Sequence, residues 1–202
     1  MATQRMLMGI SGNSASGKDE VGRMLSENHG YTHTSCSDYL RSYISLHQLG
    51  FPDRDTCTRV ARELRALKGA TFLVDQCLNQ YSEFERLALS GIYSPAEAIK
   101  IKRVGGQILH VVCRNEHVRY DRIVNRGQFR DGVSFEEFQI AQRKENTGNH
   151  DQQDVETIAE LADYVIFNEG TFEQLAIQVS KSQSQITTGG LDALSRNIAA
   201  RR

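Results

Sequence analysis

At 202 residues with 39% hydrophobic content, the chain can hold one α/β domain with a sizeable core and small insertions. Its formal net charge of −1 argues against nucleic acid or an anionic membrane as a partner held by bulk charge. Four scattered cysteines (Cys36, Cys57, Cys77, Cys113) and six histidines show no paired ligand spacing, which excludes a disulfide scaffold or zinc site and leads us to expect a cytoplasmic protein with reduced thiols. No apolar run is long enough to span a bilayer, and the N-terminus lacks the core of a signal peptide.

The apolar run Met6–Ile10 reads as a strand. It leads into Gly12-Asn13-Ser14-Ala15-Ser16-Gly17-Lys18-Asp19, a glycine, four residues, then Gly-Lys. This is the phosphate-loop spacing, with Asp19 where a Ser or Thr is expected. Val21, Met24 and Leu25 then mark a helix that Asn28 and Gly30 stop. In that context the glycines let backbone N–H groups converge on phosphate oxygens, the helix N-terminus adds partial positive charge, and Lys18 reaches the terminal phosphates.

Tyr31–Cys36 reads as a short strand, after which Ser37-Asp38 opens a helix with Leu40, Tyr43, Ile44 and His47 on one face. Gly50–Asp53 is a turn. A helix from about Asp55 to Lys68 has Val60, Leu64 and Leu67 as its core stripe, with Arg59, Arg62 and Arg65 off it. Gly69 ends it, and Thr71–Tyr81 forms another. Two helices exceed what a minimal crossover needs, so residues 37–83 or so form a helical insertion.

Arg86–Ser90 is the third strand, followed by Gly91 and a helix starting at Pro95. Ile108–Cys113 suits a buried parallel strand. A basic helix, about His117–Arg126, precedes the polar turn Gly127–Gly132. Ser134–Glu137 is a capping box that starts a long polar helix. Asn146–Asp154 is a loop, Tyr164–Phe167 the last strand, and Thr171 caps a helix with Phe172, Leu175, Ala176 and Val179 inward. Residues 181–202 are polar enough to be expected as a flexible tail.

Alternating strands and helices imply a parallel sheet of about five strands with helices on both faces. Ligands then bind beyond the strands' carboxyl ends. There Ser37-Asp38-Tyr39-Leu40-Arg41 resembles the Asp-x-Leu-Arg helix of nucleoside monophosphate kinases, whose arginine, here Arg41, grips the acceptor's phosphate. Dephospho-coenzyme A kinases place an aspartate at a similar point as base for a sugar hydroxyl, which gives Asp38 that role. The ending Ala162–Thr171 resembles the "A-D-x-V-I-x-N-x-G-[ST]" close of the same branch, whose loop borders the donor adenine and so implicates Asn168 and Gly170.

The resemblance spans about residues 5–180 and implies a three-layer P-loop NTPase fold. Residues 1–180 are then the kinase domain, with an acceptor-binding insertion (about 37–83) and a helical lid (about 126–154). It further implies that Gly12 to Asp19 bind the nucleotide and that Asp38, Arg41, Arg65 and Tyr93 meet the acceptor. Lys18, Asp38 and the lid arginines Arg122, Arg126 and Arg143 serve catalysis, with ATP and Mg2+ as cofactors. Its partners are small-molecule nucleotides.

Two departures bear on the metal. Leu89–Glu97 looks like the family's "[IV]-D-[GS]-x-R-x-P-x-E", but Ser90 replaces the acid and Tyr93 the arginine. A carboxylate is lost there while another, Asp19, appears in the loop. Gly-Lys-Asp endings also resemble those of animal phosphomevalonate kinases and phage deoxynucleoside monophosphate kinases. Asp19 is therefore expected to organise Mg2+, directly or through water. The expected reaction is transfer of the ATP γ-phosphoryl group to a nucleoside or deoxynucleoside monophosphate. Dephospho-coenzyme A kinase and a catalytically impaired nucleotide-binding regulator are the alternatives.

Overall fold

Strands β1 (Met6–Ser11), β2 (Thr32–Ser35), β3 (Arg86–Ile92), β4 (Gln107–Val112) and β5 (Tyr164–Phe167) form one parallel sheet in the order β2-β3-β1-β4-β5. This is seen in a computed structural model that describes residues 5–125, 134–143, 145–146 and 148–199, with side chains described as far as residue 186. β1 sits at the centre because both its faces are apolar. Leu7 joins Leu87, Leu89 and Ile108 on one face, while Met8 and Ile10 join Ala88, Leu109 and Val111 on the other.

The first face is covered by α2 (Cys36–Leu46), α3 (Arg54–Lys68), α4 (Phe72–Gln80), α5 (Pro95–Arg103) and α8 (Val155–Leu161), through residues such as Ile44, Leu64, Leu73, Ile101 and Ile158. The second is covered by α1 (Lys18–His29) and α9 (Phe172–Ala199), through Val21, Leu25, Leu175 and Val179. Each fully buried Leu or Ile here contributes about 2–3 kcal/mol of transfer free energy. A third, smaller cluster packs α6 (Glu116–Asn125) and α7 (Phe135–Arg143) over the loop after β1, where Phe138 and Ile123 meet Ala15. The fold is the expected three-layer P-loop NTPase architecture.

Several local expectations shift. α2 starts earlier than Ser37, because the Ser35 hydroxyl caps it by accepting the Asp38 N–H at 2.9 Å. Leu67 is 83% exposed and is not part of the α3 stripe. The buried positions are Val60, Ala61, Leu64 and Arg65, whose face leaves Leu67 about 90° away at 100° per residue. Phe172 is exposed at the first position of α9, whereas Leu175 and Val179 pack inward.

α9 also continues through the segment expected as a tail. Ser182 and Gln183 are buried and Ile186 packs on the core, extending the 175, 179, 182, 186 spacing that polar composition hides. α8 is not among the expected elements. Asp154 caps it, and its Val155 and Ile158 are buried. The capping box at Ser134–Glu137 is present, but α7 is a short helix with Phe138 fully buried. The turn at 127–132, Arg126 and Arg130 lie outside the described residues.

Candidate functional site

The loop between β1 and α1 owes its course to backbone that ordinary residues avoid. Gly12 (φ 147°) and Gly17 (φ 100°) have no Cβ, and one added there would strike the Val111 carbonyl and the Asn168 side chain respectively. Ala15 adopts a left-handed conformation (φ 58°) between them. The loop's outward carbonyls are tied down. Asn168 Nδ2 donates to Ser16 O (2.8 Å), while Arg122 donates to Ala15 O (3.2 Å), Ser16 O (3.4 Å) and Asn168 O (3.0 Å). The Ala15 and Ser16 carbonyls are thus engaged, and α1 begins at Lys18, so its first-turn N–H groups, which a helix leaves without intrahelical partners, are available to an anion, the arrangement that binds phosphate.

Lys18 Nζ donates to Asn13 O at 3.2 Å and lies 5.1 Å from the Tyr93 ring centroid. Burial alone would lower its pKa, but Tyr93, Asp19 and Glu145 around it carry the pKa above its ordinary value. The Asp19 and Glu145 carboxylates favour the cationic form of Lys18. Asp19 meets Ser90, the two positions singled out from the sequence, since Ser90 Oγ donates to Asp19 Oδ1 at 2.7 Å. His33 Nε2 lies 3.2 Å from the same hydroxyl, and burial lowers its pKa against the opposing pull of Asp19 and Asp38.

Among the described residues no group of three or more His, Cys, Asp or Glu gathers to hold a metal. The Asp19–Ser90 pair does fit Mg2+, which takes one or two hard oxygens from the protein and completes its shell with water and substrate phosphate.

A cavity of about 400 Å³ opens beside this loop, between α2, α3 and the lid. Lys18, Asp19, Arg41, Arg54, Arg62 and Tyr93 are among its lining residues. Arg41 pairs with Asp38, whose carboxylate also accepts the Ser35 hydroxyl at 2.8 Å. Arg65 reaches the cavity from below but is 4% exposed, with Nε and Nη2 each 2.9 Å from Glu97 Oε1. Glu97 Oε2 in turn accepts the Tyr93 and Ser94 N–H groups at 3.1 Å, so this pair positions the turn that carries Tyr93.

The structure thus brings Ser14, Ala15, Lys18, Asp19, Arg41, Arg65 and Tyr93 around one cavity, while Asp38 lies outside its lining as the exposed partner of Arg41. Asn168 and Arg122 brace the loop from behind, Gly170 is exposed in the turn before α9, and Arg143 is exposed at the end of α7. Three participants escape sequence reading: Arg54, Glu145 and His110. Nothing in their spacing marks them. Glu145 falls in a polar turn, and Arg54 is one of many arginines in the insertion.

His110, on β4 beside Ser11, is 4% exposed with Nδ1 unbonded, and burial followed by Lys18 pushes its pKa to about 4 from 6.5. The folded state therefore binds fewer protons than the unfolded chain between these values, and stability falls as pH drops through them. Between pH 7 and 4 the wild type is expected to lose about 3 kcal/mol more than His110→Gln in urea titrations. Parallel profiles would refute this.

A family model described as an AAA domain matches residues 8–154. A UPF0200 protein of Pyrobaculum aerophilum is 27% identical over 178 residues, 87% of this chain and 95% of its own length. TT1252 from Thermus thermophilus superposes with a TM-score of 0.61 at 22% identity, covering 89% of this chain and 96% of its own. Shikimate kinase from Bacteroides thetaiotaomicron does so with 0.56 at 15% identity, covering 90% and 98%.

Proposed function

The chain belongs to the AAA domain family, and from that premise we propose that it transfers the γ-phosphoryl group of ATP to a small phosphorylated acceptor, a nucleoside or deoxynucleoside monophosphate. The observation that carries this reading is the arginine-lined cavity opening directly onto Lys18 and Asp19. Phosphoryl transfer asks the protein for position and charge more than for covalent chemistry. The acceptor's phosphate oxygen attacks the γ-phosphorus, the bond to the bridging oxygen breaks, and ADP leaves with that electron pair. Since the attacking oxygen is already anionic at neutral pH, no base is required.

Lys18 holds charge on the moving group. Arg41 exchanges Asp38 for the acceptor's phosphate, above a floor formed by Arg65 and Tyr93. Mg2+ held by Asp19 and Ser90 would neutralise charge on the donor phosphates. Arg122, with Asn168, keeps the loop open, Gly170 borders the base of the donor, and Arg143, at the end of α7, closes over the transfer. None of the four cysteines is in a disulfide, which accords with a cytoplasmic setting, and no described helix is long and apolar enough to cross a membrane.

Asp38 stands in the first turn of α2, paired with the cavity-lining Arg41, and this favours a second acceptor, the hydroxyl of dephospho-coenzyme A, for which it would be the base. ATP consumption with a panel of monophosphates and dephospho-coenzyme A separates the readings. A monophosphate kinase is expected to tolerate Asp38→Asn within about tenfold, whereas a hydroxyl kinase should lose roughly 10²–10⁴-fold. ATP binding without turnover on any acceptor would replace both with a nucleotide-binding regulator.

A further inference from the structure

Glu145, in the turn after α7, is 6% exposed, and its carboxylate accepts a hydrogen bond from the phosphate loop. The Ser14 N–H donates to Oε2 at 3.1 Å, Arg54 Nη2 to Oε1 at 2.9 Å, and Gln142 Nε2 to Oε2 at 3.4 Å. Gln142 is itself held by Arg119, and Phe138 anchors α7 against Ala15. The carboxylate is therefore seated by design of the lid.

Two of its donors belong to opposite halves of the site. Ser14 lies on the donor loop, 131 residues from Glu145, and Arg54 opens α3 on the acceptor side, 91 residues away. A structural ion pair between α3 and the lid would not need a phosphate-loop N–H. An anion held between that N–H and a guanidinium has the surroundings of a phosphoryl group caught between donor and acceptor.

We propose that this seat is the subsite of the transferring phosphoryl group and that Arg54 is a catalytic arginine within it, with Glu145 as the resident stand-in that the triphosphate displaces. The assignment rests on the kinase reading. A γ-phosphate and a buried carboxylate repel one another at this range, so Glu145 leaves as ATP enters, and Arg54 passes from one anion to the other. Arg54 forms no covalent bond. It stays on the equatorial oxygens while the bond to ADP breaks and the bond to the acceptor forms, and no proton or co-reactant is needed beyond the substrates named above.

The test is titration calorimetry of the full chain with ADP and with a non-hydrolysable β,γ-imido ATP, both with Mg2+, because only the latter reaches the seat. Glu145→Gln keeps the shape and removes the charge, and is expected to tighten the analogue about tenfold with ADP unchanged. Arg54→Ala is expected to weaken the analogue by about ten- to a hundredfold while ADP stays within about twofold, with kcat falling more than the KM for acceptor. Arg54→Lys, which keeps the charge without the fork, is expected to fall between and guards against misfolding of the alanine variant.

Equal changes for both nucleotides, or an unaltered preference in Glu145→Gln, would overturn the assignment and leave a structural strut. The expected shifts without transfer to any acceptor would keep the subsite and remove the kinase reading. Failure of either nucleotide to bind would remove both.

Discussion

Lys18→Met is expected to reduce phosphoryl transfer on the order of 10²–10³-fold, the loss seen when one preorganised charge-stabilising donor is removed from a dry site. The Lys18 ammonium is 7% exposed and is oriented by Asn13 O, the face of Tyr93 and the nearby Asp19 and Glu145 carboxylates. Methionine reproduces the side chain as far as its fourth heavy atom and removes the ammonium with its hydrogen bond to Asn13 O. Folding should therefore survive, since a buried ammonium is costly to desolvate and its loss offsets the lost attraction to the two carboxylates. Single-turnover rates with saturating ATP isolate the chemical step from binding. A rate within about threefold of wild type would show that Lys18 does not face the transferring group.

Arg65→Met carries the largest expected effect on stability. Glu97 has no exposed surface, and Arg65 faces one of its oxygens while the other caps α5. Removing the guanidinium leaves a buried carboxylate without its counter-charge, at a cost of about 3–5 kcal/mol. For a chain of this length that corresponds to a fall in Tm of roughly 10 °C. The double variant Arg65→Met with Glu97→Gln keeps the cap and removes both charges, so it should recover most of the loss in the same thermal melts. If the double variant were no more stable than the single, lost packing, not stranded charge, would be the cause. Because Glu97 also holds the Tyr93 N–H, the single variant is expected to loosen the turn beside Lys18 as well.

The phosphate loop is legible in the sequence because its geometry is written in neighbours. Glycine spacing, a preceding apolar strand and a following amphipathic helix are all set within about 25 residues of chain. The pairing of Asp19 with Ser90 is likewise readable, since motif positions at the ends of adjacent strands fall together once the sheet is parallel. Arg65 shows where such reading stops. Its position off the apolar stripe marks it as a cavity cation, yet a buried glutamate on α5 draws it into the interior. Leu67, apolar and near the stripe, is left in solvent because the face of α3 that the sheet covers is centred between Val60 and Ala61.

The strand–loop–helix that can bind phosphate, the alternation that makes a parallel sheet, and the Ser134 and Thr171 caps are legible in the chain alone, all products of short-range sterics and hydrogen bonding. Only the tertiary structure decided which charges face one another. Arg54 and Glu145 are 91 residues apart, and no local pattern records that the turn after α7 meets α3 and brings a carboxylate to the loop. Coulomb energy and desolvation depend on distance in space, and in this molecule that distance is set by where α3, α5 and α7 come to rest on the sheet.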